Sequence, residues 1–170
     1  MKAPAPAPAP PAPAAPPQVS PAVLARVLRS ENFRDVKRAL DMIREQKIVV
    51  MAPLLLETYD VPRVFTRQNL GEAYTSSVIA TLCAICTPDM AGGLTKILRH
   101  LNYYVTPASS AAAARKLAGF GQHAEALNLL DHWLKPAHDI NMPGRYFPAI
   151  LACGEIPTAE AIKRMLVSVT

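Results

Sequence analysis

The stretch Gly121-Gln-His-Ala-Glu-Ala-Leu-Asn-Leu-Leu-Asp-His-Trp-Leu134 decides the fold class of this chain. Behind a glycine turn, Leu127, Leu130 and Trp133 fall at helical spacing, which predicts a helix over 123–134 with one apolar face. Inside it stands a small residue followed by an aliphatic one, Ala126-Leu127. Such pairs recur as Ala39-Leu40, Gly93-Leu94 and Ala161-Ile162. Leu94 precedes Leu127 by 33 residues and Leu127 precedes Ile162 by 35, whereas Leu40 precedes Leu94 by 54. The small residue is expected to let a paired helix approach closely, and its aliphatic neighbour to fill the seam. Units of this length cannot bury their apolar faces alone, so stacking on a neighbour has to complete the core.

Outward from that stretch the same punctuation continues. Ser20-Pro21 reads as an N-cap with proline at the first helical position, opening a helix over 22–30. Phe33, Val36, Leu40 and Ile43 give a second helix over 34–46. A short helix follows over 52–59, stopped by Val61-Pro62, and then a helical stretch over 67–86 with a break expected near Tyr74. Gly92 and Gly93 are expected to precede a helix ending near Tyr104. Further helices are expected over 109–118, 145–152 and 158–169, with Thr106-Pro107, Met142-Pro143 and Ile156-Pro157 marking the junctions. The expected architecture is all-α: a short α-solenoid of antiparallel helix pairs over 22–170. In front of it lies an extended Pro/Ala-rich arm, residues 1–21, which holds nine of the 17 prolines. Proline restricts both itself and the residue before it, so the arm is expected to be polyproline-like. It is either a solvated linker, the reading composition favours, or a segment that reaches a neighbouring subunit.

Composition narrows the function classes. Hydrophobic residues make up 51% and aromatics 6%, so much of the apolar content is alanine, which favours helices and close helix contacts. The net charge of +5 is spread along the chain, which permits contact with phosphate or an acidic protein surface without requiring it. Three cysteines, an odd number, argue against a disulfide framework. The longest apolar stretch, around 78–86, is too short for a membrane span. Met1-Lys2-Ala3-Pro4 has no apolar signal core, and the next basic residue is Arg26, so the start does not look like an organelle presequence. If the protein works in an organelle, this would be its processed form.

Residues 121–134, followed by Ile140-Asn-Met-Pro-Gly-Arg-Tyr-Phe-Pro-Ala-Ile-Leu-Ala-Cys-Gly154, resemble a pentatricopeptide repeat. That family has a glycine turn, an Ala-Leu pair, a hydrophobic end to the second helix, a proline near the junction and an aromatic opening the next helix. Asn32-Phe33 to Ile48 looks like a second copy without its glycine. The resemblance implies organellar, most simply mitochondrial, work: RNA binding, or service as a subunit of an organellar ribosome or another large mitochondrial assembly. The family reads bases with polar residues at set positions. The matching positions here are Ala111 or Ala113 in one repeat and Pro148 or Ala149 in the next, none of which can hydrogen-bond a base through its side chain. Phosphate or acidic-surface contacts through Arg115, Lys116, Arg145 and Lys163 stay open, as does a plain solvated face.

The candidates for chemistry are few. Cys83-Ala-Ile-Cys86 has the spacing of zinc and redox sites, but there is no second CxxC and no HxxxH to complete a zinc site. Val78, Ile79, Leu82 and Ile85 around them indicate two small residues in a packed helix. His132 and His138 lie near Asp131 and Asp139 with no nucleophile in a recognisable turn, and Trp133 reads as core or as an interface anchor. Gly92-Gly93 with Lys96 lacks phosphate-loop spacing. The expectation is therefore a non-catalytic structural subunit with no cofactor, no metal and no catalytic residues. Its partners would be other protein subunits and, through phosphate, structured RNA. A mitochondrial ribosome or related ribonucleoprotein comes first. A protein-only accessory subunit of a respiratory or ATP synthase complex is the alternative, and a redox or zinc protein using Cys83 and Cys86 is the weaker one.

Overall fold

The computed structural model describes residues 19–57, 60–134 and 143–169, so residues 1–18 of the expected arm over 1–21 lie outside the described residues, and Pro21 already belongs to a helix. Ten α-helices and three short 3-10 turns, with no strand, account for most of the described residues. The helices are α1 (Pro21–Val27), α2 (Phe33–Glu45), α3 (Ala52–Leu56), α4 (Arg63–Arg67), α5 (Gly71–Ile85), α6 (Ala91–His100), α7 (Pro107–Gly119), α8 (His123–Leu134), α9 (Pro143–Gly154) and α10 (Ala159–Val169).

Local chemistry explains most of their ends. Asn32 caps α2 by accepting from the Arg34 N–H at 3.0 Å, and Thr106 caps α7 by accepting from Ser109 at 3.2 Å. Thr158 likewise accepts from the Ala161 N–H at 3.1 Å at the start of α10. Ser20 does occupy the cap position before Pro21, but its side chain caps nothing. Three helices close with the same turn, in which an N–H reaches back five residues: Ile48 to the Ile43 carbonyl, Leu70 to Phe65 and Gln122 to Leu117. The residue before each of these donors is left-handed: Lys47 at φ 50°, Asn69 at 58° and Gly121 at 79°. Gly121 and Asn69 are residue types that favour such a turn, and Lys47 is not. A side chain with a Cβ is strained in this conformation. Lys47→Gly should therefore raise stability by up to about 1 kcal/mol, read as a higher urea midpoint at unchanged m-value; a lower midpoint would show that the turn carries no strain to relieve.

Several expected boundaries move: the helix expected to end near Tyr104 stops at His100, and those expected over 22–30 and 52–59 end at Val27 and Leu56. The break in the 67–86 stretch falls at residues 68–70, where Asn69 turns the chain, and Tyr74 lies buried within α5. Gly92 and Gly93 sit inside α6 and do not precede it. A Cβ on Gly93 would stand 3.0 Å from Leu56 Cδ1, so the glycine is where α6 meets α3.

Packing runs from helix to helix along the chain. α2 lies against α5, α5 against α7, and α7 against both α8 and α9; α8 and α9 each touch α10. The core is continuous from Leu24 to Ala161. Small residues recur at its contacts: Ala39, Ala126 and Ala161 are buried, as expected of the small-plus-aliphatic pairs. The aliphatic partner fills the seam at Leu40, Leu94 and Leu127. At Ile162 it does not, because that side chain is 55% exposed on the outer side of α10. Polar ties cross the same contacts. Thr81 donates to the Leu40 carbonyl at 3.3 Å, joining α5 to α2, and Ser109 donates to Ser76 at 3.1 Å, joining α7 to α5.

Candidate interaction surface

α7 places the first two candidate cations. Arg115 is exposed, and its guanidinium grips both carboxylate oxygens of Glu155, just beyond α9; the Nη2 contact measures 3.0 Å. That hydrogen bonding raises the Arg115 pKa and lowers that of Glu155. Lys116 is half-buried, with its ammonium 5.0 Å from the Phe120 ring centroid, within cation–π range. Arg115 therefore already serves as a tie between α7 and the end of α9. Lys163 is exposed on α10, and the side chain of Arg145 lies outside the described residues, as does His138. The structure does not gather Arg115, Lys116 and Lys163 into one patch through any shared contact.

Trp133 is half-buried and holds α8 to α7: its indole N–H donates to Ser110 Oγ at 2.9 Å. His132 meets it edge-on at 4.8 Å between ring centroids. Ser110 is itself buried, so removing the donor strands a hydroxyl in the interior. Trp133→Phe should cost about 1–3 kcal/mol in urea unfolding, and Ser110→Ala added to it should cost little more, because the two act as one bond. Fully additive losses would disprove that coupling.

Cys83 and Cys86 stand on α5 and at its end, next to the core. Burial pushes the Cys83 thiol up to about 12, helped by Cys86, and the Cys86 thiol up to about 11. The folded chain thus holds these protons more tightly than the unfolded one. The resulting stability is complete below about pH 9 and is lost as pH rises towards 11–12. At pH 8 native Cys83 and Cys86 should alkylate with iodoacetamide at least about tenfold more slowly than in urea-unfolded chain; equal rates would mean that the thiols are open to solvent and ionised. Among the described residues no group of three His, Cys, Asp or Glu side chains is placed to hold a metal ion.

One feature escaped the sequence reading. Between α6 and α8 runs a cleft in two hollows, of about 620 and 190 Å³. The ion pair between Arg99 and Glu125, 3.2 Å, borders both. Lys96, Arg99 and His100 line the larger hollow and Trp133 lines the smaller. The only sequence signal was a stripe of basic residue types at i, i+3 and i+4, which any solvated helix face also carries.

The positions that would read a base in a pentatricopeptide-like register are mostly closed off: Ala111, Ala113 and Ala149 are fully buried, and Pro148 is half-buried within α9. No protein-family model, curated protein or solved structure matches the chain.

Proposed function

We propose that this protein is a non-catalytic structural subunit of a large organellar assembly, a mitochondrial ribosome or related ribonucleoprotein. In this reading α7/α8 and α9/α10 are successive antiparallel pairs of a short α-solenoid, and the Pro/Ala-rich arm reaches a neighbouring subunit. The observation that carries it is the packing order. α7 touches its chain neighbour α8 and also α9, while α8 touches α10, an order that supports a reading as stacked helix pairs. The mitochondrial assignment comes from the pentatricopeptide resemblance of 121–154. The burial of Ala111, Ala113 and Ala149 favours contact by shape and charge over base reading. The same burial supports the second reading, a protein-only accessory subunit of a respiratory or ATP synthase complex.

Mild native purification, sizing of the particle and identification of its components test both. Co-migration with ribosomal RNA and ribosomal proteins is the expected result. Co-migration with membrane-complex subunits and no RNA would move the protein to the second reading. A free 18.4 kDa species would end both.

A further inference from the structure

We infer that the groove between α1 and α2 is a docking site for an acidic amphipathic segment of a partner protein. The groove holds about 580 Å³. Its apolar wall is made by Val23, Val27 and Met42, with Val23 52% exposed. Arg26, Arg29 and Arg38 rim it, all three exposed, against a single exposed carboxylate, Asp35.

Charge and chemistry select the occupant. Three guanidiniums around an apolar floor attract carboxylates, and guanidinium geometry suits them. A segment with Asp or Glu on its flanks and aliphatic side chains at i and i+3 or i+4 matches both features. The arm over 1–18 is a poor match, because its only charged side chain is Lys2 and it carries no acid. A second copy docking through a two-fold axis would set arginine against arginine. Structured RNA would find phosphate partners at the rim but would leave the apolar wall of Val23, Val27 and Met42 without an apolar partner. The position fits as well. Of the other described elements, α1 packs chiefly on α2 and the 3-10 turn Val49–Met51, so the groove lies at one end of the helix packing, and its wall exposes Val23 where a solvated end would carry a polar residue.

This inference rests on the assembly reading, and one experiment separates their failures. Val23→p-benzoylphenylalanine in the full chain, irradiated within the purified native particle, should cross-link to one protein segment rich in Asp and Glu with apolar residues at helical spacing. Arg26→Glu with Arg38→Glu should weaken retention in the particle at least about tenfold, with helix content by circular dichroism unchanged. Cross-links to residues 1–18, to a second copy, to RNA or to a basic segment would overturn the docking site, as would none. A chain that stays in the particle while the cross-link goes elsewhere leaves the assembly reading standing, whereas a free chain removes both.

Discussion

Phe65→Ala should cost about 3–5 kcal/mol, the largest single loss expected in this protein. Phe65 is fully buried although it belongs to α4, a helix of only five residues that could not persist alone. Its ring meets Phe33 edge-on at 5.6 Å and Tyr74 at 5.3 Å, so one side chain ties α4 to the start of α2 and to α5. Removing it leaves a cavity at a three-helix junction and forfeits both aromatic contacts. Against a total of about 5–15 kcal/mol for a domain of this kind, that is a large share. Urea unfolding followed by circular dichroism would show a much lower midpoint. Phe65→Leu, which keeps much of the volume, should lose clearly less. A loss below about 1 kcal/mol for the alanine variant would mean that α4 is not packed as described.

Ala114→Leu should cost about 1–3 kcal/mol or more by overpacking. α7 is a narrow helix with neighbours on several sides: α5, α8 and α9 all touch it, and Ala111, Ala113 and Ala114 are fully buried. Ser109 and Ser110, also buried, hydrogen-bond to Ser76 on α5 and to Trp133 on α8, which sets how closely those helices lie. Leucine is nearly as good a helix former as alanine, so any loss reports packing and not helix propensity. Ala112→Leu is the control, since Ala112 is only half-buried and should tolerate the added volume better. Equal losses at 112 and 114 would show that α7 is not packed closely on several sides.

These two sites differ in how far the sequence announced them. The alanine run in α7 was visible, and its use for close contact follows from side-chain size. Phe65 stood at the edge of the expected 67–86 helix and outside it, so its role at a junction was not legible. The same holds for the surface. Arg115, Lys116 and Lys163 were readable as basic residues, but the Glu155 partner of Arg115 lies 40 positions away in the chain. The cleft beside Arg99 and the groove beside Val23 are made by pairs of helices, and no run of sequence spells a space between two helices.

By itself the sequence determined the helical class and most helix positions. The bonds that close a helix are local, as are its caps and breakers: Asn32, Thr106, Thr158, Pro107 and Gly121 act within a few residues of themselves. Tertiary structure decided the rest. It set which helices meet, placed a left-handed turn at Lys47, and turned Ile162 outwards while burying Ala161. The physical reason is that packing depends on shape and burial summed over helices distant in the chain, and a left-handed lysine or an exposed isoleucine is tolerated only because the surrounding contacts outweigh its cost.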